Sequence, residues 1–440
     1  MDPLMSGLIG LAVLVVLLFL GVHIGVALGL VGIVGMATMV GLDAAMSSAA
    51  DTIYYKVASF DLITIPLFIL MGYLASAGGI SSNVFKALNL WVGRFKSGIG
   101  VSTVMSCTAF GAVTGSSLVT ASVFSSICAP EMRKFGYDKK IAYGICASGG
   151  MIGMLIPPSI LMVIYGVLAG ESIGKLLIAG VTPGILLMVL FSLAIVLMGI
   201  WRPSLIKSKE APRLYSWREK IFGLLNIWQV WFVALVIFGG IFGGIFNPTE
   251  AAAVASTFLV LILLFSKFRQ SWRLFVPAFR DTASTSAMIF LVMSGAAVFS
   301  HFLVLTGVAN SVAEIVLEMN LSNLALVCVL AIVYGVLGCV LDSISMLCIT
   351  IPIFGPIVEA AGLDPIWYAV VVVMAIESGL ITPPVGLNVY GAYAVAEKDV
   401  SLEDIFMGVM PFFLMVWVSI ALLIFFPVVS TWLPELMLGK

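Results

Sequence analysis

Charge is scarce in this sequence. Only 10% of its 440 residues are Asp, Glu, Lys or Arg, against about 25% in ordinary soluble domains. With a mean hydropathy of +1.20, the chain cannot present an ordinary aqueous surface and must face a lipid bilayer. Histidine is rarer still. His23 and His301 stand far apart with no cluster of ligands around either, which argues against a metal centre. The six cysteines (Cys107, Cys128, Cys146, Cys328, Cys339, Cys348) all lie inside apolar runs, and no two have CxxC spacing. They read as small core residues. There is no Walker loop, so ATP is not expected as the direct energy source. A net charge of -1 with dispersed basic residues excludes a nucleic-acid surface. The N-terminus enters apolar sequence at Leu4 with no basic region before it, so no removable signal peptide is expected.

What the chain has instead is long apolar runs. A spanning helix needs roughly 20 mostly apolar residues, because only then does the backbone cross the hydrocarbon core with its hydrogen bonds made internally. Runs of this kind fall near 4–20, 23–41, 60–78, 141–168, 177–200, 226–246, 251–266, 283–306, 366–394 and 405–430. The expected fold is an all-α polytopic membrane protein. Three shorter stretches, 82–96, 268–280 and 309–320, mix polar and apolar residues at helical spacing and read as helices lying at the interface, or else as plain connecting helices.

Two apolar regions, 98–130 and 324–358, are too long for one helix and carry a polar break, Gly111 to Ser117 in the first and Leu341 to Ser345 in the second. Each is expected to be a re-entrant helical hairpin, whose unwound tip must be surrounded by protein or a water-filled cavity.

The sequence also repeats itself at an offset of 226 residues. Ser116 and Ser117 fall on Asp342 and Ser343, Pro130 on Pro356, Gly136 on Gly362, Asp138 on Asp364, Gly153 on Gly379, and Pro157-Pro158 on Pro383-Pro384. The domains are therefore taken as 1–225 (hairpin 98–130, broken helix 141–168) and 226–440 (hairpin 324–358, broken helix 366–394). Lys and Arg in short loops collect on the cytoplasmic side. Arg94, Lys96, Arg133, Lys134, Lys139 and Lys140 flank the first hairpin, whereas Glu318, Glu359 and Asp364 flank the second. The hairpins are thus expected to enter from opposite sides, which makes the repeat inverted. Counting spans then puts the loops 202–220 and 267–280 and Lys398 in the cytoplasm and both termini outside.

Inverted repeats with interrupted helices are the usual construction of secondary transporters. Broken helix N-termini offer N–H groups to a carboxylate, and C-terminal ends offer carbonyl oxygens to a small hard cation. Two successive prolines inside a helix free at least one turn of such groups. Pairing each tip with one proline break gives two candidate cation sites. Ser116, Ser117 and the carbonyls around Gly153 and Pro157 form one; Asp342, Ser343, Thr382 and the carbonyls around Pro383 form the other. Asp342 is the carboxylate that asks most for a reason, since a charge in the hydrocarbon layer is costly. Glu377 reads equally as a proton site or a buried hydrogen-bonding group. Blander readings cover the rest: Asn247-Pro248-Thr249-Glu250 is an ordinary helix start, and Gly25 with Gly29 is a helix-packing pair.

These residues carry a family resemblance. Ser59 to Leu62, Thr64 to Gly72, Thr114 to Ser117, Pro130-Glu131-Met132, Gly136-Tyr137-Asp138, Ile156 to Ser159, Pro248 to Ala252, Leu341-Asp342-Ser343 and Thr382 to Asn388 resemble, nearly end to end, the large membrane subunit of tripartite ATP-independent periplasmic (TRAP) transporters. The resemblance implies an elevator-type importer of the bacterial or archaeal cytoplasmic membrane, with hairpins and broken helices as the transport domain and the remaining helices as scaffold. It implies two partners, a small four-helix membrane subunit and a periplasmic substrate-binding protein. It implies two sodium ions at the tips and breaks, sodium-driven uptake, and an organic acid (a C4-dicarboxylate, a related acid or sialic acid) whose carboxylate lies near Ser117, Ser345 and Asn388. A stand-alone organic-acid symporter or antiporter is the alternative within transport. An intramembrane hydrolase would need two facing aspartates, and no second Asp lies deep in an expected span, so the chain is not expected to be an enzyme.

Overall fold

Each apolar run becomes a helix, as it must where lipid offers the backbone no partner. The computed structural model describes residues 2–93, 95–206, 215–266 and 271–438. Arg94, Lys207, Lys209, Arg213, Lys267 and Arg269 of the basic flanks and loops lie outside the described residues. The first half runs α1 (Pro3–Phe19), α2 (Ile24–Val40), α3 (Leu42–Val57), α4 (Thr64–Ala77), α5 (Ile80–Val92), α6 (Gly98–Thr114), α7 (Ser117–Lys134), α8 (Lys139–Ile152), α9 (Ile160–Ala169), α10 (Ile173–Ala179) and α11 (Val181–Trp201). The second runs α12 (Trp217–Leu225), α13 (Trp228–Ala234), α14 (Gly240–Phe242), α15 (Pro248–Ser266), α16 (Ser271–Thr306), α17 (Val308–Glu318), α18 (Asn323–Gly338), α19 (Ser343–Ala360), α20 (Pro365–Gly379), α21 (Leu387–Tyr393), α22 (Leu402–Phe425) and α23 (Val428–Leu438). Six of the described helical stretches are long and apolar enough to cross a membrane on their own, and several shorter apolar helices accompany them. The protein is a multi-pass membrane protein.

The same series of elements occurs in both halves. The helices α7 and α19 each have 18 residues and begin at Ser117 and Ser343, the positions that the sequence repeat pairs. Their predecessors α6 and α18 stop at the expected polar breaks, and α8 and α20 both begin behind an aspartate cap, Asp138 and Asp364. Gly136 and Gly362 hold positive φ at the same corner, where an L side chain would be strained.

The structure corrects the reading in three places. Of the stretch 268–280, the residues from Ser271 do not make a separate interfacial helix; they run straight into a 36-residue helix ending at Thr306, in which the Thr282 hydroxyl bonds back to the Ala278 carbonyl instead of capping a new helix, and residues 268–270 lie outside the described residues. The equivalent first-half segment is α3, which the sequence reading passed over because Asp43, Asp51 and Lys56 make it too polar for a span. It is held by Ala45 and Ala49, buried at one-turn spacing against α2 and α16. The span expected at 226–246 is bent, with Trp217–Leu225 and Trp228–Gly239 meeting at 57° and a π turn at Leu235–Gly239.

The halves interlock by exchange. The second half's α16 packs on α2, and its α15 packs on α4; likewise α21 leans on α7 and α9 on α19. Small residues permit the closest approaches. A Cβ on Gly25 would lie 2.8 Å from the Leu291 carbonyl oxygen, and one on Gly408 would lie 1.9 Å from that of Lys140. Gly29 has only ordinary contact at 3.8 Å.

Candidate functional site

At the first tip Gly115 ends α6 with φ +58, and Ser116 caps α7, accepting from the Val119 N–H at 3.4 Å. The first proline break lies directly against this turn. A Cβ on Gly111 would sit 2.3 Å from the Gly153 Cα, one on Gly115 2.1 Å from the Pro158 carbonyl oxygen, and one on Gly150 2.4 Å from the Ser117 carbonyl oxygen. Only bare backbone fits at such distances. The Met154 carbonyl in the break is bonded by the Ser159 hydroxyl.

The second tip repeats the arrangement. Asp342 caps α19 and accepts from the Ser345 N–H at 3.1 Å, as Ser116 does for α7. A Cβ on Gly379 would lie 2.2 Å from the Gly338 carbonyl carbon, and the Val385 N–H donates to the Cys339 carbonyl at 3.2 Å. The Thr382 hydroxyl donates to the Ser378 carbonyl at 2.7 Å, which leaves its lone pairs for another partner. Both pairings of tip with break therefore exist, the first through Gly111 with Gly153, Gly115 with Pro158 and Ser117 with Gly150, the second through Gly338 with Gly379 and Cys339 with Val385. The oxygens that these turns carry are hydroxyls and carbonyls, which suit a small hard cation better than a soft metal. The signal that the sequence reading passed over was Gly338, which does for the second contact what Gly111, already named in the first break, does for the first.

Asp342 needs no hydrocarbon burial to be explained. It is exposed, lines a cavity of about 690 Å³ with Ser345, His23, Leu18, Ile289 and Val336, and its charge sits favourably at a helix N-terminus. The three residues expected around a substrate carboxylate divide. Asn388 begins α21, which packs on α7 beside Ser117, whereas Ser345 lines the 690 Å³ cavity, to which neither Ser117 nor Asn388 contributes.

The hairpin bases meet different neighbours. At the base of the first, Arg133 pairs with Glu397 and with Asp399 at 2.6 Å, and Lys139 pairs with Asp404 at 2.7 Å. The Arg133 guanidinium holds the Asp399 carboxyl below the usual carboxylate range. At the base of the second, Glu359, Leu363 and Tyr368 share a cavity of about 410 Å³ with Tyr165, Ala169 and Glu171 from the end of α9. Each hairpin base thus meets the far end of the other half's broken helix.

Known proteins agree with this anatomy. The chain covers 90% of itself and 90% of the YdaH transporter of Alcanivorax borkumensis at a TM-score of 0.62 and 13% identity. For MtrF of Neisseria gonorrhoeae the figures are 88%, 85%, 0.60 and 14%, so both likenesses concern the fold alone. In sequence it is 31% identical to the ectoine TRAP transporter large permease protein TeaC of Halomonas elongata over 97% of this chain and 98% of that one. It is 30% identical to the C4-dicarboxylate TRAP transporter large permease protein DctM of Vibrio cholerae over 96% of each. It is 29% identical to the sialic acid permease SiaM of the same organism over 96% and 97%. These relatives are permeases, which agrees with a transport protein and not an enzyme. The family model for the tripartite ATP-independent periplasmic transporter, DctM component, matches residues 11–429, and with broken helices, paired tips and near-complete coverage all in agreement, the chain belongs to that family.

Proposed function

We propose that the protein takes up a carboxylate-bearing organic acid across the bacterial or archaeal cytoplasmic membrane, driven by a sodium gradient. It acts with a small membrane subunit and a periplasmic binding protein that delivers the substrate. The tripartite family description supports such partners and weighs against a stand-alone symporter. One relative is the isethionate permease DctMQ of Oleidesulfovibrio alaskensis, of which this chain covers 64%. Relatives named for C4-dicarboxylate, ectoine and sialic acid leave the choice of acid to the binding protein.

One observation carries the mechanism: each hairpin tip closes on its own half's proline break, while each hairpin base meets the other half's broken helix. Since α8 starts at the first hairpin base and α9 ends at the second, a broken helix that crosses the membrane sets the two bases on opposite sides. Basic residues at the first base and acidic residues at the second agree with cytoplasmic and external faces respectively. These features support reading the chain as the inverted repeat of an alternating-access transporter, in which hairpins and broken helices would move as the transport domain against a scaffold of the remaining helices. Ser116, Ser117 and the carbonyls near Gly153 and Pro157 would hold one sodium ion, and Asp342, Ser343, Thr382 and the carbonyls near Pro383 a second. The substrate carboxylate is proposed beside Ser117 and Asn388, with Ser345 left to the separate cavity at the second tip. Proteoliposomes containing the chain with its membrane partner and binding protein should accumulate the acid only under an inward sodium gradient. Equal uptake with choline replacing sodium would defeat the proposal.

A further inference from the structure

The most unusual polar groups in the molecule lie between the two sites. Glu377, in the last turn of α20, is 1% exposed and Asn388, in the first turn of α21, is 0% exposed. Neither carboxylate oxygen of Glu377 and neither end of the Asn388 amide has a hydrogen-bond partner. They stand on opposite sides of the second proline break, which folds back so that the Asn388 N–H donates to the Leu380 carbonyl at 3.0 Å. Both face the first hairpin tip. The Ser117 side chain lies near the Glu377 carboxylate without making a hydrogen bond to it. Asn388 shares a face of α21 with Gly391, one turn on, where a Cβ would lie 2.5 Å from the Leu118 side chain. Ser117 itself looks two ways, with its carbonyl against Gly150 in the first break and its hydroxyl toward Glu377.

An unpaired carboxylate in a dry interior costs several kcal/mol unless a charge or a proton compensates it. Among the described residues no basic side chain pairs with it, and of the helices packed on α20 only α10 carries one, Lys175. The helix α18 carries no charged residue, and in α7 the charges Glu131, Arg133 and Lys134 lie at the far end, about 20 Å from Ser117 at 1.5 Å per residue. Lys139 and Lys140 stand at the base of the first hairpin, at the opposite end of α8 from the break.

We infer that Glu377, Asn388 and Ser117 form a further site for a small monovalent cation, joining the first tip to the second break. The set is three hard oxygens of different residues: a carboxylate, the amide Oδ1 and a hydroxyl. They carry a single negative charge, which one monovalent ion neutralises and a divalent ion would overcompensate in an apolar interior. The arrangement also reconciles Glu377 with an anionic substrate. Resting on the uptake reading above, it leaves the Asn388 Nδ2 to donate to the substrate carboxylate while its Oδ1 holds the cation, so that the cation lies between two carboxylates that otherwise repel.

The test is infrared difference spectroscopy of the purified transporter complex in liposomes, recorded with sodium chloride against choline chloride. The wild type should show a sodium-dependent shift of a carboxylate stretch, and Glu377→Gln, which keeps the side-chain size, should lack it. Glu377→Gln and Asn388→Leu should each weaken the sodium dependence of uptake by no less than the roughly 10- to 100-fold that outer-shell losses cost a metal site. Glu377→Gln should also show a smaller sodium-induced rise in melting temperature while its melting temperature in choline is retained. A protonated-carboxyl band that disappears in Glu377→Gln and ignores sodium overturns the inference, as does a sodium difference spectrum unchanged by the substitution. The spectroscopic comparison needs no transport, so sodium-independent uptake would sink the functional proposal without deciding this one.

Discussion

Gly379→Ala tests the contact on which the proposed second cation site depends. The added methyl group would lie 2.2 Å from the Gly338 carbonyl carbon and 2.4 Å from its Cα, both backbone atoms. Carbon atoms settle at about 3.5–4.0 Å, so the end of α18 and the end of α20 must part by roughly 1.3 Å at least. Backbone on both sides leaves no rotamer to absorb the strain, and the 3.2 Å bond from the Val385 N–H to the Cys339 carbonyl spans the same gap. Overpacking of this kind costs about 1–3 kcal/mol. If it falls on the closed, ion-binding arrangement, apparent sodium affinity drops about 5- to 150-fold. The assay is sodium titration of uptake in proteoliposomes, with thermal unfolding measured alongside. Two controls give the result its meaning. Gly25→Ala meets the Leu291 carbonyl at 2.8 Å in the α2–α16 contact and should lower stability without moving the sodium titration. Gly355→Ala meets nothing within 4 Å and, as a helical glycine, should be neutral or stabilising by up to about 1 kcal/mol. A Gly379→Ala protein with a wild-type sodium curve would refute the reasoning.

Asp342→Asn keeps a good helix cap but removes the charge, so a weaker sodium response in that variant, with unchanged melting, would locate the effect in the carboxylate; unchanged sodium titration removes Asp342 from the site. Ser116→Ala should cost about 1 kcal/mol of stability as a lost cap and also raise the sodium concentration needed for half-maximal uptake, and a change in melting alone would reduce Ser116 to a cap. The Lys56 ammonium donates to the Val167 carbonyl at 2.9 Å and so ties α3 to the end of α9; Lys56→Met should alter maximal uptake rate more than sodium affinity, and a pure affinity change would contradict the assignment of α3 to the scaffold. Because Arg133 depresses the Asp399 carboxyl, their pairing is fully present above the ordinary carboxylate range and is lost as pH falls below that range through the depressed value. Acid-side loss of thermal stability should therefore shrink in Arg133→Gln and in high salt, and an identical acid limb in the variant would discount the pair.

The parts of the site that were legible in the sequence share one property: each is written in residues that change the backbone. Proline pairs, cap residues and corner glycines specify where a helix stops, and the 226-residue repeat supplied a second copy of each stop to check against the first. So Ser116 and Asp342 could be matched before any contact was known, and the structure gives them the same capping role. What stayed hidden depends on which surfaces meet. Nothing in residues 271–280 says that they continue within α16 while their counterparts in α3 turn away at Ala58. The polar content is similar, and no capping side chain marks the new start after Ala58, so local sequence does not distinguish the two. Asp342 misled for the same reason. In a hydropathy profile it is a charge inside an apolar run, but the fold puts it at a helix start open to a cavity. Glu377 has no cap to satisfy: it lies four residues after Val373 in the last turn of α20, 1% exposed and without a hydrogen-bond partner. A carboxylate buried there must be compensated by a cation or a proton from outside the chain, which is why Glu377 joins Asp342 as a residue to test for a bound ion, and why a sodium-dependent carboxylate band rather than a sodium-independent carboxyl band decides it.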